Sequence, residues 1–135
     1  MSEAIEWIKE AIKKGGPHTF DYETNAIKPH REWGKILCMS FSDGACGYAF
    51  PNFDNSDFRK TWRRFLTSKR VKLIAQNIRF EEQWCRVKFG CRPQAWFWDT
   101  QIAAHCINNQ MKTQLKLLVY LYSLNKCVAI GVNGH

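Results

Sequence analysis

The chain has 135 residues, 45% of them hydrophobic and including nine Phe, six Trp and four Tyr, enough to bury one core of domain size. No apolar run approaches the ~20 residues of a membrane span, and the acidic start Met1-Ser2-Glu3 argues against a signal peptide, so one soluble, cytoplasmic domain with no membrane partner is expected. Twenty Lys and Arg against twelve Asp and Glu give a formal charge of +8, a balance that raises non-specific attraction to polyanions such as nucleic acid.

In chain order, Ile5, Ile8, Ala11 and Ile12 recur at helical spacing after Ser2, a candidate cap, and before Gly15-Gly16, so a helix is expected over Glu3 to Lys14. Thr19-Phe20 leads as a strand into Asp21, and Lys35 to Ser42 and Cys46 to Phe50 read as a β-hairpin about an Asp43-Gly44 turn. Asp54 to Ser68 is a helix with Phe58, Trp62, Phe65 and Leu66 on one face and several capping side chains before it. Val71 to Ala75 is a short buried strand, Arg79 to Phe89 a helix ended by Gly90, and Ala95 to Trp98 a strand. A helix from Asp99 to about Asn108, a last amphipathic helix over Thr113 to Leu124, and a weakly patterned tail over 126–135 complete the reading, with 1–125 as the domain. This order predicts an α/β fold with a mixed central sheet, helices on both faces and functional residues at strand ends.

The six cysteines are scattered, with no pair two to four residues apart, so a paired-cysteine zinc site and a disulfide framework are both disfavoured. The carboxylates are more informative. Asp21 and Glu23 stand at the end of the first strand, where a period of two points both to one side of the sheet. Two such acids suit a hard cation, Mg²⁺ or Mn²⁺, and a pair of such cations is what phosphodiester hydrolysis uses. Asn77 and Glu81 flank a second strand-to-helix junction and Asp99 a third. Taken singly, each has an ordinary explanation as a helix cap or a residue complementing the helix dipole.

Taken as a set, Phe20-Asp21-Tyr22-Glu23-Thr24, Gln76-Asn77-Ile78-Arg79-Phe80-Glu81, Trp98-Asp99-Thr100-Gln101 and Leu115-Lys116-Leu117-Leu118 resemble, in order, the motifs of the 3'-5' proofreading exonuclease domains of family A DNA polymerases, phage versions in particular. These are members of the ribonuclease H-like DEDD exonucleases. The resemblance implies a ribonuclease H-like fold. It also implies two-metal hydrolysis of the 3' end of single-stranded DNA, in a bacterial or phage-infected cell, with a polymerase domain or subunit as partner. Carried over residue by residue, it makes Asp21, Glu23 and Glu81 the catalytic metal ligands, Glu81 being one methylene longer than the usual Asp. Thr24, Ile27, Asn77 and Phe80 would contact the terminal nucleotide, and Asp99 would be a supporting or capping residue. Lys35, Arg63, Arg64, Lys69, Arg70, Arg79, Arg86, Lys88 and Arg92 would contact phosphates, or else form a solvated face.

The family's third motif, a Tyr four residues or a His five residues before a final Asp, is not found. Tyr120 and Tyr122 are followed four positions later by Leu124 and Lys126, His135 ends the sequence, and His105 precedes no acid at that spacing. His105 is read instead as a partly buried structural residue. The expectation is therefore a chain that stops before the helix carrying the fourth acid, with activity reduced by the loss of a ligand and of a positioned acid-base group worth about 10²–10⁴-fold. A catalytically incomplete nucleic-acid-binding domain and an RNA-directed 3'-5' exonuclease are the alternatives.

Overall fold

A computed structural model describes residues 1–110 and 112–115. They fall into two compact units, Met1–Asp99 and one beginning at Thr100. The first unit runs α1 (Ser2–Lys14), β1 (Gly16–Thr24), β2 (Ile36–Ser42), β3 (Gly47–Pro51), α2 (Ser56–Thr67), β4 (Val71–Ala75), α3 (Ile78–Trp84), a π-helical turn (Cys85–Phe89) and β5 (Trp96–Asp99). In the second, α4 spans Thr100–Ile107. The expected helix over Thr113 to Leu124, the tail, and Tyr120, Tyr122 and His135 lie wholly or largely outside the described residues. No helix among the described residues is long and apolar enough to cross a membrane.

The five strands form one mixed sheet in the order β3-β2-β1-β4-β5. The hairpin pairs antiparallel with β1, while β1 to β4 and β4 to β5 are parallel. Parallel neighbours need crossovers, which α2 and the α3 segment provide. β1 begins earlier than the sequence pattern suggests because Gly16 and Pro17 pair with Val71 and Lys72. Gly15 makes that tight entry possible: its φ is +65°, and an added Cβ would lie 3.1 Å from the Arg70 carbonyl oxygen.

Strand alternation divides β1 into two faces. His18, Phe20 and Tyr22 are buried, whereas Thr19, Asp21 and Glu23 are exposed. The buried face meets α2, whose Phe58, Trp62, Phe65 and Leu66 are fully enclosed, and α1 adds Ala4, Ile8 and Ala11. Trp62 is the centre of this core. Its ring packs against Phe20, Phe41, Phe50 and Phe65, and its indole N–H donates to the Tyr22 hydroxyl at 2.8 Å, so the polar edge of a buried aromatic is satisfied.

Several local expectations need correction. Ser2 is the first residue of α1 rather than its cap, and Met1 in the cap position makes no side-chain bond. α2 is capped as expected from the preceding polar cluster, by Asn55 Oδ1 accepting from the N–H groups of Asp57 and Phe58 at 3.0 and 3.1 Å. The helix expected over Arg79 to Phe89 is α-helical only as far as Trp84 and then widens into the π turn, which Gly90 closes at φ +63°. His105, expected to be partly buried, is exposed on α4.

Candidate active site

The buried side of β1 anchors the strand, and its opposite side presents the acids. Asp21 and Glu23 leave the same side of β1, as the period of two requires. Directly after Glu23 the register to β2 shifts: Glu23 lies opposite Cys38 and Thr24 opposite Ile36. Such a bulge bends the strand and re-aims its side chains.

Glu81 enters from the first turn of α3 and is buried, at 1% exposure. Its carboxyl is hydrogen-bonded to Asp21 and to the backbone of Tyr22. Burial, and then the charge of Asp21, push its pKa up to about 9. These effects favour the protonated form of Glu81 in the metal-free protein, in which its carboxyl can donate to the Asp21 carboxylate. Desolvation also raises the Asp21 pKa, against the lowering effect of that hydrogen bond. Oε2 of Glu81 is buried and accepts no hydrogen bond from a donor group of the structure, an arrangement that costs about 1–3 kcal/mol unless something else satisfies it.

Glu23 is near enough for its charge to act on Glu81 and on the Cys38 thiol, but it does not close the site. Among the described residues, no group of three or more His, Cys, Asp or Glu side chains is gathered so as to hold a metal ion. The structure therefore brings Asp21 and Glu81 into contact and leaves Glu23 at the rim. The donor set suits a divalent cation in two respects: it is all carboxylate, and it contains a buried oxygen with no hydrogen-bond partner in the structure.

Asn77 has backbone φ 65° and ψ 73°, the left-handed region, and its side chain makes no cap bond. The residue that caps α3 is Asp99, at the end of β5, whose Oδ1 and Oδ2 accept from the N–H groups of Asn77 and Ile78 at 3.1 and 2.7 Å. Asp99 thus caps α3, the helix that precedes it in the chain. No local pattern shows this, because β4–β5 pairing is what brings Ala75 beside Asp99. A carboxylate on two N–H groups at a helix start also complements the helix dipole.

The expected nucleotide contacts differ in their surroundings. Thr24 is half-buried and donates from Oγ1 to the Ala26 carbonyl at 2.8 Å. Ile27 is 82% exposed in the β1–β2 connection. Phe80, half-buried, packs its ring 6.2 Å from that of Trp84. The sequence reading passed over Tyr22, which lies between the two acids and whose hydroxyl ties β1 to Trp62 and, at 3.2 Å, to Cys85 in the π turn. Its place within the first motif was the available signal.

Comparison with known proteins agrees with this architecture. The structure resembles Brucella melitensis NrnC bound to pGG, with TM-score 0.67 and 20% identity over 78% of this chain and 52% of that one. It also resembles Escherichia coli RNase D, described as an exoribonuclease involved in structured RNA processing, with TM-score 0.73 and 16% identity over 90% of this chain and 31% of that one. A third likeness is to the POL domain of Pol1 from M. smegmatis in complex with DNA primer-template and dNTP, with TM-score 0.73 and 13% identity over 89% and 21% of the two chains. At these identities the likeness is one of fold, the ribonuclease H-like α/β fold expected from the motifs, and the chain spans about half the length of the NrnC chain, 52%. No curated protein matches it. A family model described as 3'-5' exonuclease matches residues 1–130, and the chain accordingly belongs to the 3'-5' exonuclease family.

Proposed function

We propose that this domain removes nucleotides from the 3' end of a single strand of nucleic acid by metal-dependent phosphodiester hydrolysis, with single-stranded DNA in a proofreading role as its first substrate. The observation that carries the reading is the buried Glu81 carboxyl, hydrogen-bonded to Asp21 and left with one oxygen unpartnered. Asp21 and Glu81 would hold the cation, and Glu23 would add charge from the rim. A divalent cation such as Mg²⁺ or Mn²⁺ supplies a lowered pKa for bound water and takes up charge developing on the phosphate. To act as a ligand Glu81 would have to release its proton to solvent. Asp99 keeps the start of α3, and with it Glu81, in position. Phe80, Thr24, Ile27 and Asn77 would contact the terminal nucleotide, and an aromatic ring there can stack on an unpaired base for about 1–3 kcal/mol.

A second reading, in which the substrate is RNA, draws on the likeness to RNase D and to NrnC bound to pGG. A polymerase domain or subunit as partner draws on the likeness to the Pol1 structure. The test is a time course on 5'-labelled single strands, deoxy and ribo in parallel, with Mg²⁺ or Mn²⁺. Stepwise shortening that Asp21→Ala abolishes supports the reading, and the faster strand names the substrate. No shortening of either strand with either cation contradicts it.

A further inference from the structure

The outer face of α2 carries a concentration of charge that the acid site does not use. Four of its twelve residues are cations, Arg59, Lys60, Arg63 and Arg64, against one acid, Asp57. Between them runs a surface groove of about 490 Å³ lined by Ser56, Arg59, Lys60, Arg63, Arg64 and Thr67, with no acid in its wall. Other cations of the described residues do form ion pairs: Lys9 with Glu6, Lys14 with Asp43, and Arg86 and Arg92 with Glu82. None of the four groove cations takes part in an ion pair among the described residues. Like charges one turn apart on a helix repel by a few tenths of a kcal/mol per pair, so the helix bears this row at a cost to its own stability.

The row is held in place from below. Phe58, Trp62 and Phe65 fix α2 on the sheet, while the Arg59 guanidinium donates to the Lys88 carbonyl and lies 5.1 Å over the Phe89 ring. Because α2 covers the Phe20 and Tyr22 face of β1, the groove opens on the side of the sheet opposite Asp21 and Glu23. A strand whose 3' end lies at the acids cannot place the same nucleotides in the groove. Four cations with a hydroxyl at either end of the row and no acid in the groove wall suit the phosphates of an extended phosphodiester chain, which carries one charge per nucleotide and releases counterions when neutralised.

We propose that the outer face of α2 is a second nucleic-acid track, which grips the phosphodiester backbone at a distance from the 3' end and favours long strands over short ones. Anisotropy of 5'-labelled oligothymidylates in EDTA tests this without hydrolysis, so its outcome does not depend on whether the acid site is a nuclease. With Lys60→Gln/Arg63→Gln/Arg64→Gln in the full 135-residue chain, affinity for a strand of about 25 nucleotides should fall at least tenfold, and the slope of log affinity against log salt should lessen by about 2, near 0.7 per lost phosphate contact. Affinity for a strand of about 5 nucleotides should change by less than about twofold. A charge-matched control, Lys13→Gln/Lys28→Gln/Arg31→Gln, should leave the long-strand affinity within about twofold. If the groove variant is poorly folded by circular dichroism, Lys60→Gln and Arg64→Gln alone, both exposed, should each lessen the slope by about 0.7. Unchanged affinity and slope for the long strand, or an equal loss in the control, would overturn the proposal.

Discussion

Glu81, buried on the first turn of α3, is hydrogen-bonded to the more exposed Asp21 on β1, so that two acids distant in sequence meet at one junction. The pKa of Glu81 rises from 4.5 to about 9, and burial is the largest cause. The sign of the linkage follows. Below pH 4.5 Glu81 is protonated whether the chain is folded or unfolded; between 4.5 and about 9 the unfolded chain ionises it and the fold resists. Stability of the metal-free protein should therefore fall as pH rises through that window, by up to about 1.4 kcal/mol per unit from this group alone. Glu81→Gln should remove the slope and raise the melting temperature more at pH 8 than at pH 5. Parallel pH profiles for the two proteins would refute this.

The cap on α3 gives a second prediction. Asp99→Ala removes the acceptor for the N–H groups of Asn77 and Ile78, a change expected to cost about 1–2 kcal/mol in urea unfolding. Asn77→Gly, by contrast, should be neutral or slightly stabilising, because φ 65° is free for glycine. If Asp99→Ala and Asn77→Gly had the same effect, the cap would not be what holds the junction.

A third concerns the core beneath the acids. Tyr22→Phe leaves the Trp62 indole N–H buried without its acceptor and should cost about 1–3 kcal/mol. Trp62→Ala empties the centre of the core, and a loss of about 3–5 kcal/mol should leave the domain largely unfolded at 37 °C. Thermal melts monitored by near-UV circular dichroism read both.

Much of this fold is legible in the chain because its apolar periods are strong. The stripe Phe58, Trp62, Phe65, Leu66 on α2 and the alternation of Phe20 and Tyr22 with Asp21 and Glu23 on β1 each have one sensible packing. The features that escape the sequence are those decided by non-local partners. Gly16 and Pro17 look like helix breakers and become strand residues only because Val71 and Lys72 lie alongside. The π turn after Trp84 has no local signature, and Ser2 looked like a cap that the helix does not use. In the site, strand period alone places Asp21 and Glu23 on one side, and their motif names Glu81 as their companion. The hydrogen bond between Glu81 and Asp21 depends on burial that no spacing reveals, as does the reach of Asp99 to Asn77.

The central claim, that Asp21 and Glu81 form the heart of a divalent-cation site, is tested most directly by calorimetric titration of the metal-free protein with Mn²⁺ at pH 7 in two buffers of different ionisation enthalpy. Because Glu81 must lose its proton to become a ligand, the account predicts saturable binding accompanied by proton release, with binding abolished by Asp21→Ala and proton release abolished by Glu81→Gln. Mn²⁺ binding of unchanged affinity in Asp21→Ala, or binding by the parent protein with no proton released, would contradict it.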